Sequence, residues 1–207
     1  MPSTELRAFV RANLPEPPVR VLEIGAGDGS LARALRAAGY DVVAIDPNAD
    51  ADADDVRAVA LFDLDEPAAS FAAAVAIVSL HHVEPLEGSC QRLAELVEPG
   101  GTLVIDEFDV ATFDVTAAAW WLDQRRALGE PQSKTTEELV EEHREHLHPL
   151  ERILAALGPH FELGLPVRGP WLHRWNLGDS LRAVEADAIA RGVLSATGAR
   201  LVGRRRG

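Results

Sequence analysis

The sequence predicts a doubly wound α/β fold, with a mostly parallel sheet of about seven strands and a helical lid inserted after the fifth strand. Three observations carry this. Short apolar runs alternate with alanine-rich helical stretches through the first half of the chain, as expected of strands covered on both faces by helices. A glycine-rich turn follows directly on the first strand pattern. From residue 110 to 157 the strand pattern stops and charged helical segments replace it.

In chain order, a helix is expected over residues 4–13, ended by Pro15-Glu16-Pro17-Pro18. Strands are expected near residues 20–24, 42–45, 58–61, 74–79 and 102–106. A helix over 29–38 stops at Gly39, a suitable left-handed cap, and one over 89–97 stops before Pro99-Gly100-Gly101. The repeated strand-helix-strand order calls for right-handed crossovers. Two helical segments follow, interrupted by Gly129-Glu130-Pro131 and by Pro149. A strand over 161–167, a helix over 179–191 and a last strand over 199–203 complete the same sheet. The division is thus an N-terminal helix (1–18), a ligand-binding core (19–109), a helical lid (110–160) and closing elements (161–207).

The chain has 207 residues with a net charge of −13, a single cysteine and 47% hydrophobic residues. That is enough to bury one sizeable core. Excess acid repels polyphosphate backbones, so nucleic acid is not expected as a partner. The longest apolar stretches are shorter than a membrane span, and no charged-then-apolar leader opens the chain. A lone Cys90 fits a reducing compartment, and cytoplasm is the expected location.

The decisive segment is Leu22-Glu23-Ile24-Gly25-Ala26-Gly27-Asp28-Gly29-Ser30, a buried strand running into glycines and then a helix. Such a turn lets backbone groups approach a ligand at the carboxyl edge of the sheet. A dinucleotide fingerprint would place its third glycine at residue 30, where Ser30 stands. Glu23 and Asp28 also crowd the place of a pyrophosphate. A ligand with a cationic ammonium and sulfonium suits these carboxylates better. Asp46 ends the second strand close to the offset at which an acid accepts hydrogen bonds from both ribose hydroxyls, and Pro47 stiffens the turn after it.

These residues resemble the class I S-adenosylmethionine-dependent methyltransferases, whose core is Rossmann-like. The stretch from Leu22 to Gly29 is similar to that family's first motif, Phe71 to Val83 to its fourth-strand segment, and Leu93 to Asp106 to its fifth-strand motif. The resemblance covers roughly residues 19–106 in order and spacing. It implies S-adenosyl-L-methionine as cofactor, with Glu23 holding the ammonium group, Gly25, Ala26 and Gly27 facing the methionine part, and Asp46 at the ribose; Pro47, next in the chain, is a candidate to lie against the purine face. It further implies Asp63 at the adenine amino group, the Leu64 amide at the adenine ring and Ser79 at the cofactor. A nicotinamide-dependent oxidoreductase is disfavoured by the loop spacing and by the lack of a Tyr-x-x-x-Lys pair, Tyr40 and Lys134 being the only residues of their types.

Methyl transfer from a sulfonium is an in-line displacement, accelerated mainly by alignment and exclusion of water. A hydroxyl acceptor also needs a base, and His82, then His81, are the candidates after the fourth strand. Trp120, Trp171 and His173 are candidate walls of an acceptor pocket, while Trp121 and Trp175 read as packing. His143 and His146 share a helix face at i, i+3, but without the spacing of a helical zinc site they read as a solvated face, and no metal is expected. Arg7 and Arg11 lie on one face of the first helix, a place from which to meet a cofactor carboxylate. The expected activity is methylation of a small-molecule acceptor, with the histidine pair pointing to a hydroxyl. The alternative is a noncatalytic cofactor-binding scaffold.

Overall fold

The computed structural model describes residues 3–50, 55–130 and 132–207. Residues 51–54 of the acidic loop and Pro131, expected to interrupt the helical segments, lie outside that set. Strands β1 (Arg20–Ile24), β2 (Asp41–Ile45), β3 (Phe71–Ile77) and β4 (Val97–Phe108) precede the short β5 (Phe161–Leu163) and β6 (Val167–Gly169) and the closing β7 (Gly198–Arg205). Their order is β2-β1-β3-β4-β7-β5, with β6 also on β7. β1 pairs parallel with β2 and β3, and β3 with β4; β7 enters antiparallel.

Strand parity builds three layers. Leu22, Ile24, Val43, Ile45, Ala74 and Leu103 face one side, where α3 (Leu86–Leu96) and α6 (Leu150–Leu157) cover them. Val21, Val42, Ala44, Val75 and Val104 face the other, under α1 (Thr4–Asn13) and α2 (Ser30–Ala37). Glu23 shares the parity of Val21 and is buried on this second side. A third cluster, centred on Phe108, Phe113, Trp121 and Trp171, lies beyond the carboxyl end of β4.

Several expectations are revised. The strand near 58–61 does not form: Arg57 alone bridges to Ile45, because β2 ends there and the following turn at Asp46 and Pro47 offers no further ladder. β3 stops at Ile77, since Val78 adopts φ +53, incompatible with a strand. The strand over 161–167 is two strands; Gly164 still donates to the Val202 carbonyl, and Pro166 has no N–H with which to continue the ladder. The insertion carries three helices, α4 (Val115–Ala127), α5 (Thr136–His146) and α6, with Pro149 capping the start of the third. The helix over 179–191 is a 3-10 turn at Asp179–Leu181 followed by α7 (Arg182–Ala190).

Since β2 and β3 flank β1 on opposite sides, the strand order reverses at β1. The crevice outside the carboxyl ends of β1 and β3 is therefore where an open α/β sheet binds ligands. One wall of that crevice is a short segment from Trp171 to Gly178 with little regular structure. It is held by Glu185 of α7, fully buried, whose carboxylate accepts the backbone N–H groups of Trp171, Leu172 and His173 and pairs with His173 Nδ1 at 2.8 Å. Burial alone would raise the carboxyl pKa, but the hydrogen bonds from His173 and these amides outweigh it and hold it below the usual range. Glu185→Ala leaves three buried donors and an imidazole without an acceptor. It should cost about 3–5 kcal/mol of stability, read as a lowered denaturation midpoint; an unchanged midpoint would remove Glu185 from this role.

Candidate functional site

Backbone geometry brings the first loop together. Gly25 and Ala26 donate to the Ile45 carbonyl at 2.9 and 3.0 Å, tying the loop to the end of β2. Gly27 N–H donates to Asp46 Oδ2 and Asn48 N–H to Asp46 Oδ1, both at 2.9 Å. The Asp46 carboxylate is thus oriented by backbone donors while each oxygen keeps a lone pair free. Gly25 has φ +68, and a Cβ there would lie 2.3 Å from the Ser79 Cβ. Only glycine permits that approach of the two strand ends.

Three cavities meet at this point. A glycine-loop cavity of about 570 Å³ is lined by Glu23, Gly25, Ala26, Gly27, Ser30 and Arg174, among others. An Asp46 cavity of about 520 Å³ includes Asp46, Pro47, Ala60, Leu61 and Ser79. An aromatic cavity of about 610 Å³ is walled by Phe108, Trp121, Trp171, Trp175 and His143. Gly25 borders the first two, Val78 and His82 border the second and third, and Asn176 borders the first and third. Val78 and Asn176, at these junctions, hold positive φ angles of 53° and 55°. Such backbone strain in a β-branched residue persists only where the surroundings impose it; here the Val78 N–H is fastened to the Asp106 carbonyl at 2.7 Å.

Glu23 is 3% exposed, and its Oε2 has no hydrogen-bond partner. Burial, with Arg36 and Arg33 pulling down and Asp28 pushing up, raises its pKa to about 8. An uncompensated buried carboxyl on a cavity wall is a receptor for a cationic group. Asp28, by contrast, is exposed and held low by its hydrogen bonds with Ser30.

In the aromatic cavity, His81 is 4% exposed and its Nδ1 lies 2.6 Å from Glu107 Oε2. Glu107 Oε1 accepts the N–H groups of Ser79 and Leu80 at 2.8 and 2.6 Å, so both carboxylate oxygens act as acceptors. Nδ1 therefore carries the hydrogen, and Nε2 is left as the basic nitrogen. His82 is exposed at the rim; burial of part of its ring, then the neighbouring His81, push its pKa below the usual range. Trp121 and Trp175 stack at 4.1 Å, and Trp121 Nε1 donates to the Trp175 carbonyl at 2.9 Å.

The remaining sequence candidates are placed elsewhere. Asp63 is exposed and outside the Asp46 cavity, because its N–H closes a turn on the Ala60 carbonyl; Leu64 is buried in the core, with its carbonyl taken by Arg92. Ala60 and Leu61 line that end of the cavity instead. Trp120 is half-buried outside the aromatic cavity, since α4 turns Trp121 inward. His173 lines the glycine-loop cavity and not the aromatic one, pinned by Glu185. Arg7 and Arg11 line a separate groove with Leu31 and Ala34. His143, expected to face solvent, is half-buried in the wall of the aromatic cavity, whereas His146 is exposed as expected, at its edge. Among the described residues, no group of three or more His, Cys, Asp or Glu is placed to hold a metal ion. Glu107, Trp121, Trp175 and Arg174 were not singled out for the site. The signal for Glu107 was its place at the carboxyl end of β4, one residue beyond the motif segment.

Comparisons with known proteins bear on the fold and the family. A family model described as a methyltransferase domain matches residues 3–157. An uncharacterized methyltransferase of Staphylococcus carnosus is 29% identical over 171 residues, covering 74% of this chain and 76% of that protein. An S-adenosylmethionine-dependent methyltransferase from Mesorhizobium loti has the same fold, with a TM-score of 0.64 at 16% identity over 98% of both chains. So does the 1,6-didemethyltoxoflavin-N1-methyltransferase of Burkholderia thailandensis, solved with 1,6-didemethyltoxoflavin and S-adenosylhomocysteine, at a TM-score of 0.54 and 19% identity over 92% of this chain and 72% of that one. With the family model matching well over half its length, the chain belongs to the methyltransferase domain family and is a class I, S-adenosylmethionine-dependent methyltransferase.

Proposed function

We propose that this protein methylates a hydroxyl of a small molecule held in the aromatic cavity, with His81 as the proton acceptor and Glu107 as its positioning residue. The observation that carries this reading is the junction of the three cavities at Gly25, Val78, His82 and Asn176. Glu23 holds the ammonium group of the cofactor, Gly25 and Gly27 let the methionine chain lie against the backbone, and Asp46 takes the ribose. When bound, S-adenosylmethionine supplies an electrophilic methyl group on a sulfonium. The chain then has to align acceptor and methyl and keep water out. Val78 and His82, at the boundary between the adenosine and acceptor cavities, are placed to do this.

A volume of about 610 Å³ with ring-lined walls suits a drug-sized organic molecule. The net charge of −13 disfavours a polyanion. No helix of the described residues is long and apolar enough to cross a membrane. The hydroxyl proton would pass to Nε2 of His81 as the oxygen–carbon bond forms and the carbon–sulfur bond breaks, its electron pair leaving on a neutral thioether, and the Glu107 carboxylate would stabilise the imidazolium that results. The scaffold alternative is less favoured, because residues 3–157 match a methyltransferase domain.

Two outcomes test this reading. His81→Ala should lower kcat roughly 10²–10⁴-fold with a hydroxyl acceptor, and His82→Ala less than about tenfold. An equal or larger loss in His82→Ala would transfer the base to His82. Separately, Glu23 carries a proton below about pH 8 in the free protein, whereas an ammonium group favours the ionised carboxylate. At about pH 6.5, binding of S-adenosylhomocysteine should therefore release close to one proton, read from the dependence of calorimetric heat on buffer ionisation enthalpy. Glu23→Gln should abolish the release; a wild-type complex formed without it would contradict the ammonium assignment.

A further inference from the structure

The charges around the glycine-loop cavity are unequal. Glu23, Asp28 and Asp179 line it, and Arg174 is the one guanidinium among the lining residues. Arg174 ends the short 3-10 turn Leu172–Arg174, whose backbone Glu185 clamps, so its position is defined. One Nη atom of Arg174 donates to Asp106 Oδ1, and the other oxygen of Asp106 accepts from Arg200 Nε at 2.6 Å. Arg200 continues to Glu5 of α1 at 2.8 Å, which also meets Arg182 at 2.5 Å. Asp106 is therefore already compensated by Arg200, and the charge of Arg174 is surplus to it. The other guanidinium N–H groups of Arg174 donate to no acceptor among the described residues.

One cavity thus holds a buried carboxyl without a partner and a guanidinium with unused donors. A ligand group that answers both must carry an ammonium and a carboxylate, as a free α-amino acid does. A guanidinium fork is well matched to a carboxylate, and such charge-assisted bonds are stronger than neutral ones. Building on the cofactor reading above, we infer that Arg174 recognises the carboxylate of the cofactor's amino-acid end while Glu23 takes its ammonium group. Arg7 and Arg11, the arginines of α1 on which the same task would fall from sequence, line a different groove. The Asp106 pair keeps Arg174 extended beside the cavity before any ligand arrives, which lowers the conformational cost of binding.

Calorimetric titrations with two probes separate this role from general support of the site. S-adenosylhomocysteine carries the amino-acid end, and 5′-methylthioadenosine keeps the nucleoside but lacks that end. Arg174→Gln should weaken S-adenosylhomocysteine binding roughly 10- to 100-fold and leave 5′-methylthioadenosine binding unchanged. Arg7→Gln and Arg11→Gln remove guanidinium groups that line a separate groove, and should leave both affinities within about threefold. Wild-type affinity for S-adenosylhomocysteine in Arg174→Gln would overturn the assignment, as would an equal loss of both ligands. Wild-type protein that binds neither probe would overturn the cofactor reading itself and the assignment with it.

Discussion

Everything at the carboxyl edge of the sheet depends on how closely the ends of β1 and β3 approach. A Cβ at residue 25 would come within 2.3 Å of the Ser79 Cβ, so a side chain there would force the two strand ends apart. With glycine at φ +68 the loop folds back, and its Gly25 and Ala26 amides reach the Ile45 carbonyl. That single contact sets Gly27 against Asp46 on one side and Ser79 against the Glu107 carboxylate on the other. The glycine loop with Asp46 and the His81–Glu107 pair are thereby built on the same hinge of backbone.

Around that hinge the protein concentrates uncompensated polarity. Glu23 is buried without a partner, and Val78 is held at a positive φ. Each costs stability in the free protein, and each faces a cavity in which a ligand can repay it. Glu107 and Glu185 contrast with Glu23. They are equally buried but fully bonded, each accepting backbone amides and pairing with a histidine ring. One fixes the His81 ring, and the other fixes the wall that carries Arg174. Buried carboxylates therefore serve two purposes here, structural where satisfied and receptive where not.

The part of this arrangement governed by local rules was legible before the fold was known. α1 and β1 begin and end where their caps, prolines and apolar alternation place them, and the glycine loop with Asp46 follows from chain spacing alone. Less was legible where distant segments meet. The stretch at 58–61 has the composition of a strand but finds no ladder beyond Ile45. Trp121 and Trp175 lie 54 positions apart and form a wall only because α4 packs against the 171–178 segment. His143 looks solvent-facing on a helix so rich in charge, yet its ring sits 4.7 Å from that of Trp175. Arg174 gives no local sign of its role, because the carboxylate that positions it is 68 residues away. The glycine loop and Asp46 rest on local motif geometry, and the aromatic cavity on tertiary contacts.

We propose that these carboxylates and glycines select a sulfur-linked adenosine amino acid over a dinucleotide. Parallel calorimetric titration of the intact protein with S-adenosylmethionine, S-adenosylhomocysteine and NADH tests it most directly. Saturable one-to-one binding of the first two and no binding of NADH are expected. Binding of NADH in preference to both would contradict it.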